Sequence, residues 1–299
     1  MRVLLLSPWD NAWIPYLRAE FERRGAEFEA IKPTNSAFSG MPDLVLHGWA
    51  NGLSRPIIGA RNVMFLRRYE LFDHGLSKTD WSRVDQLICV NAWIADRVRE
   101  TFCRQAITVP VTVIYNGVDV DKWTFKTRKA GTKIGMACHV HPKKNLPLAV
   151  QILAALPEEY ELHIAGDVQD ACTAEYLNHI GKTLRRTVYL YDHIAHEQMD
   201  GWWENMDYCL SSSLSEGNPN NVIEAMAKGI RPVIHDWPGA DEQFPAWARF
   251  ASVKQAVHMI RSPVYDSQRY RDLVRERFGV ENYAKVADLC ESLLEKEAA

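Results

Sequence analysis

Two glutamates, Glu216 and Glu224, stand with seven residues between them in the stretch SSSLSEGNPNNVIEAMAKGIRPVIHDWPGA at 211–240. Between them the residue types predict the start of a helix. Asn218 is a good N-cap, because its side-chain oxygen can accept from the first backbone N–H groups. Pro219 suits the first helical position, where its missing N–H and fixed φ do no harm. Val222, Ile223, Ala225, Met226 and Ala227 supply an apolar face, Gly229 a left-handed cap, and Pro232 a stop. A strand, Val233-Ile234-His235, and the turn Trp237-Pro238-Gly239 follow. A helix start is the positive end of a dipole, so the backbone of Asn218, Pro219, Asn220 and Asn221 suits a phosphate or diphosphate. The carboxylates suit hydroxyl groups, from which they accept hydrogen bonds. Glu216 precedes the helix and Glu224 lies about one and a half turns inside it. They can therefore hold two polyols on either side of one diphosphate, which is the outline of a nucleotide sugar. Taken singly, the same residues describe a capped helix with two solvated glutamates.

These residues need a framework, and the chain predicts one of alternating strands and helices. A buried strand at 2–7 precedes a helix over 16–24 that ends at Gly25, and apolar runs recur at 44–46, 63–66 and 86–90. A helix over 92–102 and a strand over 111–115 lead to the turn Asn116-Gly117. Residues 118–131, with Lys126, Thr127, Arg128 and Lys129, read as a polar linker. A second series follows, with strands at 133–137, 160–165, 187–190 and 208–211, and helices at 146–156, 173–182 and 196–205. Amphipathic helices at 266–277 and 280–296 close the chain. Such alternation argues for parallel α/β sheets, with ligands at the strand C-termini.

Composition excludes several alternatives. The 299 residues suffice for two modest domains, and 47% hydrophobic with 24% charged residues is ordinary for a globular protein. A net charge of −3 gives no general drive toward nucleic acid or anionic lipid. Six scattered cysteines lack metal-ligand or disulfide-scaffold spacing, as expected of reduced thiols in a cytoplasmic protein. No segment has the length of a membrane-spanning helix, so any membrane contact is expected to be peripheral. Ser7-Pro8-Trp9-Asp10-Asn11 follows the first strand in place of a Gly-rich dinucleotide fingerprint, which weakens a dehydrogenase reading. Ser211-Ser212-Ser213 has no nucleophile-elbow context and reads as strand-end packing. Asp119-Val120-Asp121 falls in the junction turn, and the ten histidines form no cluster at ligand spacing, so no metal site is expected.

The Glu-x7-Glu segment, its Ser213-x-x-Glu216-Gly217 lead-in and the strand after it resemble the retaining glycosyltransferases of family 4. Ile114-Tyr115-Asn116-Gly117-Val118-Asp119 resembles their domain-junction turn. The resemblance implies an α/β protein of GT-B fold, two Rossmann-like domains with parallel sheets facing across a cleft. The expected domains are 1–122 on the acceptor side, 132–262 on the donor side, and helices at 263–299 that cross back to the first domain. It further implies hexose transfer from a UDP- or GDP-sugar to a saccharide or glycolipid, without a catalytic metal or cofactor. A modified DNA base is an alternative acceptor, and a noncatalytic nucleotide-sugar-binding module an alternative class.

By that resemblance Glu216 holds the hexose hydroxyls and Glu224 the ribose. Lys144 falls in the place of a lysine that neutralises the donor diphosphate, whereas Lys143 reads as solvated charge. His139 stands where the family carries an arginine. Arg67 stands near the place of a family histidine, with His74 further on. Arg67 or Arg68 can contact phosphate or an anionic acceptor, or pair with Glu70, and both readings stand. Base recognition is implied for the loop after the strand at 187–190, hence Tyr191, Asp192 and His193, though a packing role suits Tyr191 equally. Trp9, Trp13 and Trp49 are candidates to stack on an acceptor sugar or base.

Overall fold

The computed structural model describes residues 1–9, 11–33, 40–73 and 75–298, so His74 lies outside the described residues. The chain divides into two compact units, Met1–Gly117 with Val280–Ala299, and Val118–Gly279.

The first unit holds β1 (Arg2–Leu6), β2 (Glu27–Ile31), β3 (Leu44–His47), β4 (Arg61–Leu66), β5 (Gln86–Cys89) and β6 (Val111–Val113). They form one parallel sheet in the order β2-β1-β3-β4-β5-β6. Side chains alternate across a strand, so β4 feeds both faces. Val63 and Phe65 meet Leu17 and Phe21 of the helix Ile14–Arg23, while Met64 and Leu66 meet Ile94, Val98 and Phe102 of the helix Ala92–Gln105. Tyr283, Val286, Ala287 and Cys290 of the helix Asn282–Ala298 complete the first of these cores. That helix is fixed by the stacked Tyr16–Tyr283 rings, 6.1 Å apart, and by Arg24 Nη1 donating to Glu291 at 2.7 Å.

The second unit holds β7 (Lys133–Ala137), β8 (Glu161–Ala165), β9 (Thr187–Tyr191), β10 (Tyr208–Ser211), β11 (Arg231–His235) and β12 (Arg249–Phe250). Their order is β12-β11-β10-β7-β8-β9, again all parallel. Counted from β7, this is the 3-2-1-4-5-6 arrangement of a dinucleotide-binding sheet, and the winding reverses between β7 and β10. One face packs Ile134, Leu162, Ile164, Leu210 and Val233 against Leu146, Val150 and Leu153 of the helix Leu146–Ala154.

Two expected boundaries are corrected. Residues 118–131 are not a linker: Val120 and Trp123 are buried, and the Arg128 guanidinium donates to the carbonyls of Lys228, Glu204 and Met206. The helix Ser267–Phe278 belongs to the second unit, where Arg271 bonds the carbonyls of Trp123 and Ala227. Asp121 of the Asp-x-Asp turn pairs with Arg271 at 3.1 Å and Arg275 at 2.5 Å. Among the described residues no helix is long and apolar enough to cross a membrane.

Candidate functional site

The winding reverses between β7 and β10, and the C-terminal ends of the strands at such a point are where open α/β sheets bind ligands. Two loops meet there. Ser212 Oγ donates to the Lys144 carbonyl at 2.7 Å, and the Leu214 N–H to the Lys143 carbonyl at 2.9 Å. The loop after β10 is thereby fastened to the loop after β7. His235, at the end of β11, donates from Nδ1 to the Ser213 carbonyl at 2.9 Å and steadies the turn from the other side.

Glu216 is buried at the centre of this junction. Its Oε1 accepts from Lys144 Nζ at 2.5 Å and from Ser213 Oγ at 2.7 Å. Burial pushes the carboxyl up, but the Lys144 charge and these hydrogen bonds outweigh it, and Glu216 titrates below its ordinary value. The serine run is therefore more than strand-end packing, since Ser212 and Ser213 both hold this junction together.

The following helix starts one residue later than its sequence suggests. It spans Asn220–Ala227, with Pro219 in the capping position and no side-chain cap. Asn218 stands one place before the capping position and donates from Nδ2 to Gln243 Oε1 at 3.3 Å, and Gln243 itself donates to the Gly217 carbonyl at 3.0 Å. Asn221 donates to the Ala137 carbonyl at 2.8 Å, which fixes the helix start against the end of β7. The C-terminus ends as expected, with Gly229 at φ +80°.

Glu224 is buried one turn into this helix. Its Oε1 accepts from His196 Nε2 at 3.0 Å, and the His196 ring meets Trp123 edge-on at 5.7 Å. Burial raises the Glu224 carboxyl above its ordinary value, with His196 opposing that shift. The hydrogen bond to Glu224 in turn raises His196. The two acids thus diverge, Glu216 held ionised by a lysine and Glu224 made easier to protonate.

His139 and His193 come together around Asp167, with their Nδ1 atoms 3.5 and 3.6 Å from its Oδ2. Burial lowers His139 below the ordinary histidine range despite Asp167. Asp167 follows Gly166, whose φ of +145° and approach to the Cys138 carbonyl leave no room for a side chain. Tyr191 ends β9 and its hydroxyl lies 2.9 Å from His163 Nδ1, in a stack of His163, Tyr189 and Tyr191. Tyr191 therefore lies on the sheet face, joined to β8.

Arg67 lies in the first unit, where Glu70 does not pair with its guanidinium. The Glu70 carboxylate accepts instead from the backbone N–H groups of Arg67 and Arg68, at 3.3 and 3.0 Å. Arg67 Nη1 donates to Asn116 Oδ1 at 2.5 Å, and the guanidinium lies 4.4 Å from the Trp13 ring centre and 5.5 Å from that of Trp49. Burial lowers its pKa to about 10.

Residues 131–247 match the family model described as glycosyl transferases group 1. HepE of Anabaena, solved with UDP-glucose, superposes with a TM-score of 0.78 at 13% identity, over 98% of this chain and 100% of that one. Sucrose-phosphate synthase from Thermosynechococcus elongatus gives 0.76 at 13% identity, over 99% and 100%. The apo lipopolysaccharide outer core galactosyltransferase WaaB gives 0.71 at 16% identity, over 97% and 99%. The fold is GT-B. No curated protein sequence matches the chain significantly. The segment 131–247 is a glycosyltransferase domain and holds Lys144, His196, Glu216 and Glu224.

Sequence reasoning missed His196, Asp167 and Ser213 as members of the site. His196 carried a usable signal, because it opens the helical segment after the loop to which base recognition was assigned. Asp167 carried none, since His139 and His193 are distant in sequence, whereas Ser213 stands three residues before Glu216 and was read only as packing.

Proposed function

We propose that the chain is a retaining glycosyltransferase that moves a hexose from a UDP- or GDP-sugar to a saccharide or glycolipid acceptor. The observation that carries this is the pair of buried glutamates at the winding reversal of a 3-2-1-4-5-6 sheet, one on Lys144 and one on His196. Glu224 would accept from the ribose hydroxyls, with His196 fixing its carboxylate. Backbone groups at 218–221 and Lys144 would face the diphosphate. Lys144 Nζ already sits on Glu216, so one cation would serve both the leaving group and the acid that holds the hexose. Charge that develops on the departing phosphate would be stabilised by donors already in place. Glu216 would position the sugar rather than attack it: the lysine keeps it ionised, but retention here is read as front-face attack, with the leaving phosphate oxygen taking the acceptor proton. We read the reaction as independent of a metal ion. Six unpaired cysteines are in keeping with a reducing, cytoplasmic setting.

The alternative of a noncatalytic binding module is favoured by His139, which stands in the arginine position and leans toward Asp167. Incubation with UDP- and GDP-sugars, with and without Mg²⁺, separates the two. The enzyme releases free nucleoside diphosphate from one donor. Tight nucleotide binding with no release under any acceptor would leave the module.

A further inference from the structure

The first unit has its own winding reversal, between β1 and β3. Trp9 follows β1, Trp49 follows β3, and Arg67 and Tyr69 follow β4, so all four sit at the strand ends where such a sheet receives ligands. Trp9 lies 5.0 Å from Trp49 and 6.2 Å from Tyr69, both edge-on, and Trp49 lies 5.3 Å from Tyr69. Trp9 is nonetheless 47% exposed. Its backbone is fixed, since its carbonyl accepts from Ser7 Oγ at 2.7 Å and Asn11 Nδ2 at 3.0 Å. Asn51 Nδ2 donates to the Tyr69 hydroxyl at 2.6 Å. A held, half-exposed indole offers its negative face to the C–H groups of a sugar ring.

The charge beside this cluster is unusual. Among the described residues the Arg67 guanidinium makes no ion pair, and a neutral amide, Asn116, is its side-chain acceptor. Its Nε and the Trp49 Nε1, both donors only, are buried without a hydrogen-bond partner among the described residues. The nearby Glu70 carboxylate acts on this guanidinium only through its field, its hydrogen bonds being spent on backbone N–H groups, so an anion that accepts directly from the guanidinium supplies a contact the described residues do not.

We propose that these strand ends form the acceptor subsite and that the acceptor is a saccharide carrying an anionic group, carboxylate or phosphate. The proposal rests on the glycosyltransferase reading for the word acceptor, but the ring-and-anion site stands on the first unit alone. The sugar ring lies on Trp9, and the anionic oxygens accept from Arg67.

The test uses the full chain, titrated with glucose, glucuronate and glucose 6-phosphate while tryptophan fluorescence is followed. UDP and GDP are titrated in parallel to test the donor reading separately. An anionic sugar is expected to bind at least tenfold more tightly than glucose, and whichever anion binds names the group. Trp9→Ala should weaken it at least fivefold with nucleotide affinity intact, and Arg67→Gln should reduce it to the level of glucose. Should Arg67→Gln fail to fold, the wild-type preference and Trp9→Ala decide. Equal binding of glucose, or unchanged binding in Trp9→Ala, overturns the proposal. So does nucleotide binding with no sugar binding, which leaves the donor reading standing. Anionic sugar binding without nucleotide binding sinks the donor reading and keeps the subsite.

Discussion

Replacing Lys144 by methionine leaves Glu216 buried with Ser213 Oγ and without its cation. At 2.5 Å and an effective dielectric near 20, the ion pair gains about 7 kcal/mol of Coulomb energy. Most of that gain is offset by taking two charges out of water, several kcal/mol each, so the intact pair adds little net stability. Removing one partner is different, because the desolvation of the other remains, and such changes cost about 3–5 kcal/mol. In the native protein Glu216 titrates low, so its contribution is present above the ordinary carboxylate range and is lost as pH falls through the lowered value. In Lys144→Met the direction reverses. Burial, opposed only by Ser213 and Lys143, pushes the carboxyl up, the folded state takes up a proton, and stability falls by about 1.4 kcal/mol for each unit that pH rises above the ordinary carboxylate value until the raised value is passed. Urea unfolding of wild type and variant should show a deficit of about 3–5 kcal/mol near neutral pH, shrinking to roughly 1 kcal/mol near pH 5. Adding Glu216→Gln should abolish that pH dependence and recover most of the loss. A deficit unchanged by pH, or below about 1 kcal/mol near neutrality, would refute the reasoning, since the pair would then not be buried as a unit.

Three other outcomes are expected. If Glu224 holds the ribose as proposed, its ionised form accepts best and burial raises its pKa, so nucleoside-diphosphate affinity should fall as pH drops through that raised value; His196→Gln removes an opposing influence and should move the fall to higher pH, as calorimetry across mildly acidic pH will show. Lys228 is fully buried on Asp200 at 2.5 Å and the Thr124 carbonyl at 3.1 Å, so Lys228→Ala should destabilise by about 3–5 kcal/mol in thermal unfolding. Gly166→Ala places a Cβ 2.5 Å from the Cys138 carbonyl, so a loss of about 1–3 kcal/mol is expected, together with weaker nucleotide binding as the loop bearing Asp167 shifts.

The second unit was the more legible half of the chain. Its strands are short apolar runs between turn residues, and β10 falls on the predicted residues. The strand β2 was missed because EFEAI at a sheet edge has a single buried residue and no apolar run. The strand β12 is two residues long, too short to leave a periodic signal. The helix start was placed one residue early, because Pro219 occupies the capping position rather than the first turn. The acids Glu216 and Glu224 were legible from spacing and flanks. Their partners were not: Lys144 lies 72 residues before Glu216 and His196 28 before Glu224, and only the order of strands brings them together.

The central claim is that Glu216 and its neighbours position a sugar for transfer. The most direct measurement compares nucleoside-diphosphate release from the accepted donor by wild type and Glu216→Gln, alongside nucleotide affinity in both. Release should be lost in the variant by about a hundredfold or more while affinity for the free nucleoside diphosphate stays within a few-fold. Normal release by Glu216→Gln would contradict the account.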